Sequence, residues 1–301
     1  DASINPYRGC EHGCVYCYAR PTHEYLGLSA GLDFESRIFV KTDAALLLRR
    51  ELSRPKWKPQ VIAISGVTDP YQPVERRLRI TRSCLEVLME ARNPVGIVTK
   101  NHLVTRDVDL LAELARHRAA KVFISVTTLD RELQRTMEPR TSTPERRLEA
   151  MRTLSAAGVP VGVMVAPVIP GLTDHELPRI LKAAADAGAE AAGWVPLRLP
   201  HGVKDLFADW LGRMYPERAS RVLNRVREIR GGALYDASFH TRLRGEGVYA
   251  DHLRTLFDAS CRRHGLNRER PGLSTASFRR PAPPAPPVGP LPAQLGLFDE
   301  R

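Results

Sequence analysis

Cysteine is scarce in this chain. Five among 301 residues cannot form the disulfide framework of a secreted scaffold. Long apolar runs are missing too, so no membrane-spanning helix is expected. No signal-peptide pattern opens the sequence. Clustered thiols without a secretory context point to a reducing cytoplasm. Acidic residues are outnumbered, 34 against 45 Lys and Arg, for a formal charge of +11. That imbalance suggests polyanionic partners, nucleic acid first and anionic membrane second. It is concentrated late in the chain: Arg218 to Arg280 holds fourteen arginines and six acidic residues. The first residue is Asp1 rather than methionine, which leaves room for an upstream segment.

With 43% hydrophobic residues the chain can bury a full core. Short apolar runs at 61–65, 95–99, 122–126, 161–165 and 191–195 read as strands. Helical patterns at 78–91, 107–118, 144–157 and 174–187 lie between them. Thr143-Pro144-Glu145 has the form of an N-cap, a first-turn proline and an acid, and Gly158 and Gly188 sit where helices should stop. Such alternation predicts an α/β fold with a parallel sheet and right-handed crossovers. A sixth strand is expected to end near Ser3 to Asn5, and a further strand and helix are expected within 34–41 and 43–52. Residues 203–213, 216–229 and 248–264 read as additional helices.

Three of the five cysteines stand together in Gly9-Cys10-Glu11-His12-Gly13-Cys14-Val15-Tyr16-Cys17. Thiolates this close can converge on one metal centre from a single loop. A closed cubane takes four thiolates, so three leave one iron open for a second molecule. A zinc knuckle completed by His12 or His23 is the other reading of the spacing.

The C-x3-C-x2-C spacing, with Asn5-Pro6-Tyr7-Arg8 before it and Tyr16-Cys17-Tyr18-Ala19-Arg20 closing it, resembles the cluster loop of the radical S-adenosylmethionine (SAM) superfamily. The likeness is to its DNA-repair-photolyase-like branch, distantly related to spore photoproduct lyase. The resemblance implies a partial (β/α)6 TIM-like barrel with a [4Fe–4S] cluster on Cys10, Cys14 and Cys17, and SAM on the open iron. Chemistry in such barrels lies on loops after the strands' C-terminal ends. It also implies a reducing partner such as flavodoxin or ferredoxin.

By the same resemblance, Tyr16 would flank SAM's adenine. Thr68 and Asp69, after the second strand, would offer acceptors to its ammonium group; Asp69-Pro70 also has the form of a turn opener. Lys100 and Ser125, closing the third and fourth strands, would approach its carboxylate and ribose. Arg140 would fork onto the carboxylate or lie on the surface. Val165 and Val195 would wall the adenine or be core. Spore photoproduct lyase has a hydrogen-returning cysteine after its second strand, whereas Ser65-Gly66-Val67-Thr68 has none. Cys84 shares an apolar helical face with Ile80, Val87, Leu88 and Ala91, so it reads as a core thiol, and Cys261 looks similar.

The expected organisation is a barrel over 1–200, a basic helical extension over 201–280, a disordered Pro-rich tail at 281–293 and a peptide at 294–298. The tail could span roughly 40 Å as polyproline II. Gln294, Leu295, Leu297 and Phe298 resemble the peptide that binds the bacterial DNA sliding clamp, with apolar anchors and a register-fixing amide. The function expected is a radical SAM enzyme acting on DNA in repair. The alternatives are one acting on RNA, protein or a small molecule, and a non-catalytic iron–sulfur redox sensor.

Overall fold

The computed structural model describes residues 2–284, apart from 65, 236, 239, 240, 242 and 270. Strand β1 (Ala2–Ile4) is followed by β2 (Tyr7–Arg8), a 3-10 helix (Arg20–Leu26), α1 (Leu32–Ser36) and β3 (Phe39–Val40), which pairs with β2. Helix α2 (Ala44–Ser53) leads to β4 (Ile62–Ile64), and α3 (Glu75–Leu78) and α4 (Ile80–Ala91) lead to β5 (Val95–Thr99). Then come α5 (Val108–Arg116), β6 (Ala120–Ser125), α6 (Arg131–Met137), α7 (Pro144–Ala156) and β7 (Val161–Val168). The last parts are α8 (Leu177–Asp186), β8 (Ala191–Pro196), α9 (Val203–Met214), α10 (Pro216–Glu228) and α11 (Gly247–His264).

Six strands form one parallel sheet in the order β1-β4-β5-β6-β7-β8. Among the described residues only β1 and β8 pair on one side alone, so the sheet has two free edges there and forms a partial, TIM-like barrel. Each of the six strands expected in the parallel sheet is present. The pattern in β5 shows why: Val95, Ile97 and Thr99 are buried while Gly96 and Val98 are half-buried, the period of a strand with one fully covered face. The start of α7 is also as expected, with the Thr143 hydroxyl accepting from Arg146 N at 3.5 Å and Pro144 in the first turn.

Two local expectations change. The helix expected over 78–91 is two helices, because Arg79 takes a left-handed conformation (φ 54). Fully buried Glu75 then accepts from Thr81 N (3.0 Å) and Arg82 N (3.4 Å), satisfying amides that the break leaves without helical partners. The stretch expected as a strand near 34–41 is largely α1, with only β3 extended. Phe34 is buried there, and its carbonyl accepts from Cys10 N at 2.9 Å.

Helix α11 packs on α8 and adds Leu253, Phe257 and Cys261 to the same core as the sheet. The chain after it runs beneath the barrel. Ser274 N donates to Arg118 O (2.9 Å) and Arg279 N to Ala91 O (2.8 Å), at the ends of helices that lead into β6 and β5. Arg280 donates to the carbonyls of Leu52, Arg54 and Trp57, just before β4. Among the described residues no helix is long and apolar enough to cross a membrane. The Pro-rich tail beyond Pro284 and the peptide at 294–298 lie outside the described residues.

Candidate functional site

The cysteine loop follows β1 and β2, at the C-terminal end of the sheet. Gly9 (φ 85) begins it, and a Cβ there would stand 2.9 Å from the His23 ring and 3.0 Å from Phe34 O, so only glycine fits. Val15 N donates to Met137 O (3.1 Å), tying the loop to α6. Buried Arg20 fastens it from the other side. Its Nε donates to Cys14 O (3.0 Å), its Nη1 to the carbonyls of Ala30 and Gly31, and its Nη2 pairs with Glu35 at 2.6 Å.

Cys10, Cys14 and Cys17 line one cavity of about 450 Å³ at the barrel mouth, walled largely by apolar groups including Phe34, Met164 and Pro167. Burial pushes all three thiols up. After burial, the Asp69 carboxylate raises Cys10 and the Glu138 carboxylate raises Cys14, and neighbouring thiols add to both. Soft sulfur donors suit an iron–sulfur cluster. Among the described residues no three His, Cys, Asp or Glu side chains converge tightly enough for a single metal ion. Of the two histidines that a zinc knuckle would use, His12 meets a partner on each ring nitrogen and His23 lies outside the cavity wall. His12 Nδ1 faces Asp69 (3.4 Å), its Nε2 meets Asn101, and burial pushes the imidazole down to about 4. His23 Nε2 bonds Arg37 O, and its ring packs on Phe34 and Phe39.

Tyr16 lines the cavity, and its hydroxyl donates to Glu138, a fully buried carboxylate. Glu138 also accepts from Thr127 (2.7 Å) and pairs with fully buried Arg147. Burial pushes the Glu138 carboxyl up, and the Arg147 guanidinium pulls it back. Arg147 donates onward to Ser125 O (3.0 Å) and Ser142 O (2.8 Å), so one buried network joins the loop to the end of β6.

Thr68, Asp69, Lys100, Ser125 and Val195 also line the cavity. Both oxygens of Asp69 are committed: Oδ1 accepts from Tyr71 N (2.9 Å) and Thr99 Oγ1 (2.7 Å), and Oδ2 from Lys100 N (2.7 Å), with His12 beside it. A carboxylate has about four lone-pair sites, so Asp69 braces the ends of β4 and β5. Thr68 donates to Tyr7 O at 3.4 Å. Lys100 Nζ donates to Ala166 O (3.3 Å) and lies 5.9 Å from the centre of the Tyr16 ring. Burial lowers its pKa, and the nearby Cys14 opposes that shift. Arg140 and Val165 are not part of the cavity wall: Arg140 pairs with Glu35 and donates to Glu11 O, and Val165 is buried in β7. Arg20, Glu138 and Arg147 brace the loop and strand ends around the cavity, and no local pattern in the sequence marks them for that role.

The radical SAM superfamily model matches residues 4–184. This chain belongs to the radical SAM superfamily. The family's cofactors are a [4Fe–4S] cluster and SAM, and the thiol set at the mouth of this radical SAM protein fits the first of them. An uncharacterized protein of Mycobacterium tuberculosis is 36% identical over 304 residues, covering 98% of this chain and 81% of its own. An uncharacterized protein of Methanocaldococcus jannaschii is 30% identical over 173 residues, covering 58% of this chain and 62% of its own. Among solved structures, spore photoproduct lyase complexed with dinucleoside spore photoproduct superposes with TM-score 0.57 and 16% identity, over 86% of this chain and 73% of that one. A double mutant of that enzyme with bound AdoMet and the dinucleoside gives 0.52 and 18%, over 87% and 72%. This radical SAM protein therefore shares their fold.

Proposed function

We propose that this chain holds its cluster on Cys10, Cys14 and Cys17, binds SAM in the cavity beside it, and acts on DNA in repair. The observation that carries the reading is the gathering of the three thiols on one largely apolar cavity at the barrel mouth. Bound there, the two cofactors supply hydrogen-atom abstraction from carbon, read out as 5′-deoxyadenosine. The protein's part is to orient and to exclude water: Tyr16 is fixed by Glu138, Lys100 by Ala166 O, and Phe34 and Met164 keep the wall dry.

Support for DNA comes from the shared fold of an enzyme solved with a dinucleoside lesion and from charge. Arg218, Arg221 and Arg227 are exposed on α10. Arg221 reaches Gly171 O (3.3 Å) beyond the end of β7, which puts α10 on the same side as the cavity. No fourth cysteine lines the cavity among the described residues. Cys84 and Cys261 are buried in the core, where burial pushes their thiols up to about 12 and about 11. The route by which a hydrogen atom returns to product thus differs from a second-strand thiol.

Reconstituted anaerobically with iron, sulfide, dithionite and SAM, the protein is expected to form 5′-deoxyadenosine faster with ultraviolet-damaged DNA than without DNA. No binding of DNA and no response to it would remove DNA as substrate. Cluster binding with no 5′-deoxyadenosine under any condition would leave the redox-sensor role.

The chain beyond Pro284 carries the second part of the proposal: Gln294, Leu295, Leu297 and Phe298 bind the bacterial sliding clamp, in a cytoplasm where flavodoxin or ferredoxin supplies electrons. A pull-down on immobilised clamp should retain the full chain and lose Leu297→Ala plus Phe298→Ala. Equal retention would exclude that contact.

A further inference from the structure

Arg198 has a role that none of the site's other arginines shares. It follows β8, at one free edge of the sheet, and lines the cavity. Its guanidinium lies 5.5 Å from the centre of the Tyr18 ring. Tyr18 comes from the other edge: it directly follows Cys17 in the loop after β1 and β2, and its hydroxyl donates to Gly66 O at 2.6 Å. The stacked pair therefore bridges the opening between β1 and β8 that an incomplete barrel leaves.

The neighbouring arginines are all engaged. Arg20 and Arg140 pair with Glu35, and Arg147 pairs with Glu138. Arg230 donates to the carbonyls of Pro196 (3.1 Å) and Leu197 (2.8 Å), which fixes the backbone that presents Arg198. Among the described residues Arg198 has no carboxylate partner, and its Nε is buried without an acceptor. A buried guanidinium nitrogen without an acceptor is costly, and a planar fork stacked on an aromatic ring is well placed for a phosphate.

We propose that Arg198 grips a backbone phosphate of the DNA strand at the opening between the two sheet edges, with Tyr18 as the platform that aims it. The phosphate would approach where Tyr18 is half exposed (51%), on a cavity wall that also carries the thiols. This assignment rests on the DNA reading above.

The test measures binding of a fluorescent oligonucleotide to the reconstituted protein with SAM, over a series of salt concentrations. Each phosphate contact contributes about 0.7 (single strand) to 0.9 (duplex) to the slope of log K against log salt. Arg198→Gln should reduce the slope by about that amount and weaken binding several-fold. Arg198→Lys, which keeps the charge, should retain the slope, and its melting temperature beside that of Arg198→Gln checks folding. SAM binding by equilibrium dialysis supplies the other arm. A drop in SAM affinity with an unchanged DNA slope overturns the proposal and assigns the anion to the cofactor's carboxylate. An unchanged slope with unchanged SAM affinity also overturns it. Wild-type protein that binds no DNA fails the underlying reading instead, before any variant is compared.

Discussion

Replacing Cys14 with alanine is expected to abolish 5′-deoxyadenosine formation while the chain stays folded. Cys14 is buried, packs with Tyr16 and Met137, and lines the cavity beside Cys10 and Cys17. Losing one buried sulfur costs about 1 kcal/mol by the measure of a buried methylene, small against the roughly 5–15 kcal/mol that holds a domain together. The loop keeps its other anchors, Val15 N to Met137 O and Arg20 to Cys14 O, which are backbone acceptors that the substitution leaves in place. The cluster has no such reserve, since a loop with three thiolates has none to spare. Removing a group that only orients a metal ligand already costs 10–100-fold, so loss of a ligand should exceed about 100-fold. Iron and sulfide content, visible absorbance and 5′-deoxyadenosine by chromatography check it. Wild-type iron content and activity in Cys14→Ala would show that this thiol is not a ligand.

Glu138→Gln is expected to lower the melting temperature by on the order of 10 °C. Glu138 and Arg147 are both fully buried and paired, and Tyr16 and Thr127 donate to the same carboxylate. Removing one member of a buried pair leaves the other charge without compensation, at about 3–5 kcal/mol. In a domain of this size each kcal/mol shifts the midpoint by roughly 2–4 °C. If the uncompensated guanidinium is the cause, Glu138→Gln combined with Arg147→Met should melt above the single variant. The single variant should also retain less iron, because an amide oxygen is a weaker acceptor than a carboxylate for the Tyr16 hydroxyl beside Cys17. Calorimetry of the three proteins decides it: a shift under about 2 °C for Glu138→Gln would mean that the network contributes little.

What was legible in the sequence depended on separation along the chain. Strand periodicity, the Thr143-Pro144 helix start and the spacing of Cys10, Cys14 and Cys17 are all written within a few residues, and all appear where expected. The seven-residue α6 carries a local signal, an Asp130 cap accepting from Glu132 N and Leu133 N, but so short a helix has little periodicity to reveal it. Arg140 could not be placed from its neighbours, because Glu35 and Glu11 hold it from more than a hundred residues away. Asp69 lies in the expected cavity, yet its oxygens are committed to Thr99 and Lys100 on the next strand. Nearness to the site is legible in local sequence; which charges are already paired there is a tertiary fact.

The path of residues 274–280 across the base of the barrel gives the molecule a front and a back. The thiols open at the ends where the strands finish, whereas Arg280 is clasped by carbonyls that precede β4. Whatever continues past Pro284 therefore starts on the side turned away from the reactive mouth. If the residues past Pro284 bind a partner as proposed above, that contact begins at the rear, and capture and chemistry would draw on separate surfaces.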